Sequence, residues 1–104
     1  MTAKLIVANA ARMDARDILD YLQEHAGDGT ALRYAVDFDA AIDRIADLPH
    51  TGSPRKQYGS DVRIVIVDPY LIFYSSPPSG DEVRVLRILH GSRDITRSML
   101  RNVG

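Results

Sequence analysis

The stretch "VRIVIVDPYLIFYSSPPSGDEVRVLRILH", residues 62–90, holds three runs rich in β-branched and aromatic residues. Such runs, bounded by Pro, Gly, Asp and Ser, are typical of β-strands. Asp68-Pro69 separates the first two runs by two residues, and "SPPSG" separates the second from the third. Connections this short predict an antiparallel meander with strands at 62–67, 70–75 and 82–90.

Two segments upstream carry apolar residues at helical spacing, one from Ala11 to Ala26 and one from Tyr34 to Leu48. Each has a single apolar face with charged residues mostly off it, which predicts two amphipathic helices. Gly27 is expected to end the first helix and Thr30 to cap the second. Because the connection is so short, the two helices should form an antiparallel hairpin.

The apolar run Leu5 to Ala8 is shorter than the roughly 7–15 apolar residues in the core of a secretory leader. We therefore interpret it as a first β-strand rather than as part of a leader. The element order is then β-α-α-β-β-β. A helical hairpin with one apolar face needs one face of a sheet to cover. We therefore expect one α+β domain over residues 1–104, with two layers and an antiparallel sheet of about four strands packed on the helical hairpin.

The composition fits this picture. The chain has 104 residues, 45% of them hydrophobic, and no cysteine. It is long enough for one small core, and the lack of cysteine excludes disulfides and thiolate metal sites and fits the reducing cytoplasm. No apolar stretch approaches the roughly 20 residues that span a membrane, so we expect a cytoplasmic protein with no membrane partner.

Charge is distributed unevenly along the chain. The net charge is −1, yet residues 1–52 hold five basic and nine acidic residues, whereas residues 53–104 hold eight and five. Eleven of the thirteen basic residues are arginine, whose planar fork suits carboxylates and phosphates. A basic C-terminal half could therefore face nucleic acid or an acidic protein, or simply reflect an arginine-rich genome.

The last predicted strand carries cationic side chains among apolar ones. Because side chains alternate along a strand, one face holds Val83, Val85, Arg87 and Leu89, and the other holds Arg84, Leu86, Ile88 and His90. Both faces carry apolar residues, which indicates a central strand with a polar partner on whichever face the helices leave open.

The chain lacks several motifs of known chemistry. It has no glycine-rich phosphate loop, no paired-histidine metal motif and no carboxylate pair at a catalytic spacing, so we expect no cofactor and no metal site. His90 ends the arginine-bearing strand and suits either a structural bond to the backbone or a functional role. Tyr58, Tyr70 and Tyr74 could stack on bases, although packing within the sheet suits the last two better.

Three motifs connect the chain to a known family. They are "LPHTGSPR" after the second helix, "VRIVIVDPYLIFYS" across the hairpin and "VRVLRILHGSRDI" from the last strand into its turn. With the element order, they resemble the ParE branch of the bacterial RelE/ParE toxin superfamily. In chain order the matching positions are Pro49, Gly52, Arg55, Arg63, Tyr70, Tyr74, Arg87, His90, Gly91, Arg93 and Asp94.

The resemblance implies a toxin of a type II toxin–antitoxin system. ParE-like members act on DNA gyrase and stop replication, and a ParD-like antitoxin with a ribbon-helix-helix N-terminus neutralises them. The partner would lay an amphipathic helix in an apolar groove and place acidic residues against arginines. Contact with nucleic acid would then be indirect, through the toxin–antitoxin complex.

The RelE branch provides the alternative, a ribosome-dependent mRNA endoribonuclease. Metal-free RNA cleavage needs a base, an acid and cations that converge on one phosphate. Relative to that branch, Val62, Ile64 and Ile66 stand where lysines would be expected, and no tyrosine follows Tyr74. The residues left for such chemistry are Arg63, Arg87, His90 and Arg93. A third reading is a non-toxic partner that binds the antitoxin and serves only in operon autoregulation.

The favoured reading, a binding-type gyrase inhibitor, assigns no catalytic residue. It assigns partner binding to Arg55, Arg63, Tyr70, Tyr74, Arg84, Arg87, His90, Arg93, Ile95, Arg97 and Met99. In the tail, Ile95, Met99 and Val103 recur at i, i+4 and i+8, the apolar stripe of a short helix flanked by Arg97 and Arg101. That stripe either offers contact surface to gyrase or packs back on the sheet.

Overall fold

The computed structural model describes residues 3–101. Within them the helices and strands are β1 Lys4–Val7, α1 Asn9–Ala26, α2 Asp28–Asp47, β2 Ser53–Pro54, β3 Val62–Val67, β4 Tyr70–Ser75 and β5 Glu82–His90. A first 3₁₀ turn, Lys56–Tyr58, follows β2, and a second, Arg97–Leu100, follows β5. The predicted element order and the bounds of the three meander strands are confirmed.

The strands form one sheet in the order β1-β5-β4-β3-β2, with the two helices packed on it. The predicted two-layer α+β fold is therefore confirmed, and β3, β4 and β5 form the antiparallel meander. Two details differ from the prediction. Strand β1 is parallel to β5, which makes the sheet mixed, and the loop after α2 adds the two-residue strand β2 beside β3. A parallel neighbour is possible here because the whole helical hairpin lies between β1 and β5 in the chain.

The two helices are separated by Gly27 alone. Its φ of 91° lies in the left-handed region, where glycine has no Cβ penalty, so the chain reverses within one residue. Helix α2 consequently begins at Asp28, and the prediction that Thr30 caps it is wrong. The hairpin is antiparallel, since Ala11 and Ala15 of α1 line the same groove as residues near the C-terminal end of α2.

Two apolar clusters lie on opposite faces of the sheet. The helix-side core packs the helices on the sheet through Ala11, Phe38, Ile45, Tyr70, Ile72, Tyr74, Val83, Val85 and Ile88. The open-face core lies on the other face and contains Val62, Ile64, Phe73, Leu86, Leu89 and Leu100. Tyr58, Leu71, Ile95 and Met99 pack against it. The first 3₁₀ turn and the tail therefore cover part of the face that the helices leave open.

A β-bulge at Leu86 changes which side chains of β5 share a face. Tyr74 pairs with Val85 and Phe73 with Arg87, so Leu86 has no partner in β4. The extra residue shifts the alternation by one position. Ile88 and His90 consequently lie on the helix side with Val85, whereas Arg87 and Leu89 lie on the open face. The predicted assignment of these four side chains to faces is wrong because it assumed strict alternation.

Candidate partner-binding surface

Two side chains of the meander hold the loop after α2. The Tyr74 hydroxyl donates to the Pro49 carbonyl at 2.8 Å and accepts from the Gly52 N–H at 2.8 Å. Arg63 Nη1 donates to the Gly52 carbonyl at 2.7 Å. A Cβ at Gly52 would lie 2.6 Å from the Ile64 carbonyl oxygen and 2.7 Å from the Tyr74 hydroxyl, so only glycine fits. These residues of the family motif form one internal unit that fixes the loop.

The two strand tyrosines belong to the core. Tyr74 is fully buried, and Tyr70 packs edge-to-face on Phe38 at a ring distance of 5.7 Å. Burial raises the pKa of both phenols above the ordinary value of 10.0. Of the two roles considered for Tyr70 and Tyr74, the structure gives them the packing role.

Arg87 connects the helical layer to the tail across the edge of the sheet. Its Nε and Nη2 donate to the two carboxylate oxygens of Asp14 in α1, at 2.7 and 2.9 Å, and its Nη1 donates to the Met99 carbonyl at 3.1 Å. Asp14 also accepts from the Ile88 N–H at 2.9 Å, just beyond the point where β1 ends. The Asp14 carboxylate raises the pKa of the Arg87 guanidinium. The donors of Arg87 are therefore engaged within the chain.

His90 completes the turn that follows β5. Its Nδ1 accepts from the Ser92 N–H at 3.0 Å and lies 2.7 Å from the Ser92 hydroxyl, and its ring contacts Tyr70 edge-to-face. Because a backbone N–H donates to Nδ1, the ring hydrogen lies on Nε2. This is the structural alternative considered for His90, although the ring itself is exposed.

The tail packs back on the open face of the sheet. Residues 97–100 form the second 3₁₀ turn rather than an α-helix, and Leu100 is only 5% exposed. Ile95 and Met99 are half-buried against the same open-face core, while Val103 lies outside the described residues. Of the two roles considered for the tail, the structure thus gives Ile95 and Met99 packing on the sheet.

The four residues left for nuclease chemistry do not meet in one site. Arg63 pairs with Tyr74 on the helix side of the sheet, whereas Arg87 lies on the open face. In the register of the sheet, Arg63 lies opposite Tyr74 and His90 lies opposite Tyr70. The two side chains are therefore offset by four residues along β4, which is about 13 Å. Arg93 lies beyond His90 in the turn and is exposed. No convergent set of acid, base and cation results from these four positions.

The remaining predicted partner-binding residues are accessible to different degrees. Arg55 is half-buried beside β2 and donates through Nη1 to the Pro54 carbonyl at 2.9 Å. Arg84 is half-buried opposite Ser75 in β4. Arg93 and Arg97 are exposed in the tail. Arg63, Tyr70, Tyr74 and Arg87 thus make contacts within the chain, as do His90, Ile95 and Met99. Of the predicted arginines, Arg93 and Arg97 face solvent.

Sequence reasoning missed three contributors to this surface. Asp14 binds Arg87 across 73 positions of sequence, and no local pattern signals such a pair. Leu100 follows Met99 directly and is not part of the i, i+4 stripe of the tail. The helical pattern therefore gave no indication that Leu100 is buried. Tyr58 was considered only for base stacking, and it packs edge-to-face on Phe73 at 5.5 Å.

Acidic and basic residues are distributed unequally between the helical layer and the rest of the chain. The two helices hold four arginines against nine acidic residues, while the rest of the chain holds nine basic residues against five acidic ones. The helical layer is therefore acidic, and the sheet with its loops and tail is basic. A partner that carries negative charge is attracted to the sheet side and repelled by the helical side.

Residues 3–101 contain neither a metal-binding cluster nor a membrane-spanning helix. This part of the chain contains no group of three His, Asp or Glu side chains placed to hold a metal ion. Its helices also include none with the length and apolar character needed to cross a bilayer.

Comparison with known proteins gives a consistent result. A profile of the family described as the ParE toxin of the type II toxin–antitoxin system parDE matches residues 5–95. Toxin ParE1 of Caulobacter vibrioides is 29% identical over 86 residues, which cover 83% of this chain and 86% of that protein.

Two solved structures share the fold. A chain of the chromosomal ParDE toxin–antitoxin system from P. aeruginosa superposes with a TM-score of 0.71 at 21% identity, covering 86% of this chain and 96% of that one. A chain of the RelBE2 toxin–antitoxin complex from Mycobacterium tuberculosis gives a TM-score of 0.60 at 18% identity, with 86% and 99% covered. At these identities the two structures support the fold alone.

Proposed function

The chain belongs to the ParE toxin family of type II toxin–antitoxin systems, and from this membership we propose that it inhibits DNA gyrase and thereby stops replication. A ParD-like antitoxin, with a ribbon-helix-helix N-terminus that binds the operator, neutralises it. Contact with DNA is then indirect, through the antitoxin. The observation that carries the proposal is the family match over residues 5–95, nearly the whole described chain.

The positions of the basic residues support a toxin that acts by binding rather than by cutting RNA. Catalysis requires the reacting groups to be held in one geometry, within hydrogen-bond reach of one substrate. Arg63 and Arg87 lie on opposite faces of the sheet and donate to groups of this chain, and the His90 ring accepts from its own turn. The ribonuclease alternative therefore lacks a site to which it can be assigned.

A groove beside β1 provides a second support, because a neutralising partner needs apolar surface to cover. The groove has a volume of about 570 Å³, and its apolar lining comes from β1, from both helices and from Ile88 of β5. Leu5 lies at its rim and is 37% exposed. An amphipathic helix of the antitoxin fits such a groove with its apolar face inward.

The order in which macromolecular synthesis stops tests this proposal. The chain is induced in a bacterial host, alone or with the antitoxin from the neighbouring gene, and incorporation of labelled thymidine and methionine is followed. We expect DNA synthesis to stop before protein synthesis, and the antitoxin to prevent the arrest. Arrest of translation first would favour the ribonuclease, and harmless expression would favour the non-toxic antitoxin-binding partner.

A further inference from the structure

A pocket opens at the end of the sheet where β3 begins and β4 ends, between the loop after α2 and the loop before β5. It has a volume of about 290 Å³. Its lining includes two cationic side chains, an imidazole, two hydroxyls and one carboxylate, which belong to Lys56, Arg63, His50, Ser60, Ser76 and Asp61. Cations and hydroxyl donors around one pocket are typical of a site for an oxyanion.

Ser76 brings to this pocket a polar group that has no partner in the protein. The residue is only 4% exposed, and its N–H donates to the Asp61 carbonyl at 2.9 Å. Its hydroxyl oxygen is buried and has no hydrogen-bond partner among residues 3–101. Folded proteins rarely retain such a group, because an unsatisfied buried hydroxyl is destabilising. Since Ser76 lines the pocket, a ligand bound there can accept from this hydroxyl.

Arg63 is held at the pocket in one orientation. Its Nη1 donates to the Gly52 carbonyl at 2.7 Å and to the His50 carbonyl at 3.2 Å. Within the described residues its Nε and Nη2 have no partner. The guanidinium is therefore fixed by one group of donors and offers the others to a ligand, which lowers the entropic cost of binding.

The rim of the pocket adds donors that are also unused. Lys56 and Ser60 are exposed, and the side chain of neither makes a hydrogen bond or an ion pair within residues 3–101. His50 connects the two loops, since its Nε2 lies 3.4 Å from the Pro77 carbonyl oxygen. The walls of the pocket are thus joined before a ligand arrives.

These groups suit a phosphate ester better than a carboxylate. A phosphate monoester has three terminal oxygens, so Lys56, Arg63 and Ser76 can each donate to a different one, whereas a carboxylate has only two. Asp61 would repel a bare anion but can accept from a hydroxyl group of the ligand. The volume of about 290 Å³ is close to ten times that of a water molecule in the liquid, roughly 30 Å³, and so holds a phosphate together with a small polyol.

We propose that this pocket binds a small phosphate monoester that carries hydroxyl groups, the chemistry of a sugar phosphate. Lys56, Arg63 and the Ser76 hydroxyl hold the phosphate, and a hydroxyl of the ligand donates to the Asp61 carboxylate. Of these four residues, only Arg63 belongs to the set predicted from the sequence. The ligand bridges the loop after α2 and the loop before β5, and the site is independent of the proposed inhibition of gyrase.

Titration of the ¹⁵N-labelled full chain, followed by NMR in a phosphate-free buffer, tests the proposal at individual amides. The probes are ribose 5-phosphate, inorganic phosphate and ribose. We expect ribose 5-phosphate to shift the amides of the pocket lining and to bind about threefold more tightly than inorganic phosphate, because it adds a hydrogen bond to Asp61. Ribose alone should not bind.

Variants assign the contacts. Ser76→Ala should weaken the binding of ribose 5-phosphate about tenfold, and it should leave the stability of the free chain unchanged because the hydroxyl has no internal partner. Lys56→Ala should weaken binding about threefold, since this lysine is exposed. Lys4→Ala is the matched control, because it removes the other lysine of the chain from β1, at the opposite edge of the sheet. Its affinity should equal that of the wild-type chain.

Asp61→Ala distinguishes a phosphate ester from free phosphate. Removing the carboxylate should raise the affinity for inorganic phosphate and abolish the preference for ribose 5-phosphate. If both compounds bind the wild-type chain equally and Asp61→Ala changes neither affinity, the ester is overturned as the ligand. If neither compound shifts the pocket amides at millimolar concentration, or if Ser76→Ala binds as tightly as the wild-type chain, the phosphate site itself is overturned.

Discussion

The guanidinium of Arg87 in β5 binds the carboxylate of Asp14 in α1 through two hydrogen bonds, 2.7 and 2.9 Å long. The same guanidinium donates to the carbonyl of Met99 in the tail, and the same carboxylate accepts from the Ile88 N–H. One ion pair therefore connects the helical layer, the edge of β5 and the tail on the opposite face. The tail can be part of a binding surface because this pair holds it in place.

Replacing Arg87 tests the structural role of this pair. Arg87→Ala leaves the mostly buried Asp14 carboxylate without its partner and should lower the free energy of unfolding by about 2–3 kcal/mol. Arg93→Ala, an exposed arginine in the following turn, should change it by less than about 0.5 kcal/mol. Urea unfolding monitored by circular dichroism measures both. Equal stabilities for the two variants would contradict the structural role described for this pair.

Replacing two glycines by alanine should change the free energy of unfolding in opposite directions. Gly52→Ala would place a Cβ 2.6 Å from the Ile64 carbonyl oxygen, so we expect a loss of about 1–3 kcal/mol in the free energy of unfolding. Gly29 lies within α2 and has nothing within 4 Å of an added Cβ. Because alanine is the better helix former, Gly29→Ala should gain about 0.5–1 kcal/mol. Thermal unfolding of the two variants checks this; a tolerated Gly52→Ala would mean that the loop is not held as described.

Tyr74→Phe keeps the ring and removes the hydroxyl that fixes the loop. The Gly52 N–H and the Pro49 carbonyl lose their shared partner, and we expect a loss of about 1–3 kcal/mol. Tyr21→Phe is the control, since Tyr21 is 58% exposed. Chemical denaturation at neutral pH measures the difference between the two variants, and a difference near zero would contradict the buried role of the hydroxyl.

The buried tyrosines also predict how the stability of the fold changes at alkaline pH. Burial raises the pKa of Tyr70 and Tyr74 in the folded chain above 10.0, so the fold favours the neutral phenol. Their contribution is fully present below pH 10 and is lost as the pH rises through the folded-state pKa, because the unfolded chain releases the proton first. We expect melting temperatures to fall above pH 10, and to fall less steeply in Tyr74→Phe. Identical slopes for the variant and the wild-type chain would exclude Tyr74 as a source of the effect.

The tail contributes to the core as well as to the surface. Leu100→Ala removes a side chain that is 5% exposed and should cost about 2–4 kcal/mol, whereas Leu32→Ala removes one that is 66% exposed and should cost little. Calorimetric melting of both variants tests this. Removing residues 95–104 would therefore weaken the fold together with any contact to gyrase, so substitutions at Arg97 and Arg101 are the better probes of function.

The sequence predicted what depends on local patterns. The helical spacing of Ala11 to Ala26, the alternation in β3 and the two-residue Asp68-Pro69 connection are each contained within a few turns or one hairpin. These patterns predicted the elements, the meander and the two-layer fold. The motif residues could also be recognised from the sequence, although not what they contact.

The rest depends on contacts that are distant in the sequence. The parallel pairing of β1 with β5 joins residues about eighty positions apart, and the pair of Asp14 with Arg87 spans 73. The bulge at Leu86 inverts the faces of Arg87 and Ile88, and no residue type in "VLRIL" signals it. The alternation of apolar and cationic residues in β5 was therefore interpreted in the wrong register. The contact between Arg87 and Asp14 was therefore not predicted.

Supercoiling of relaxed plasmid DNA by purified DNA gyrase, measured with and without this chain, tests the central claim most directly. We predict that the chain inhibits supercoiling in proportion to its concentration, that Arg16→Ala inhibits equally well, and that an equimolar amount of antitoxin restores activity. Full gyrase activity at saturating chain, together with cleavage of mRNA in a translation extract that His90→Ala abolishes, would contradict the account.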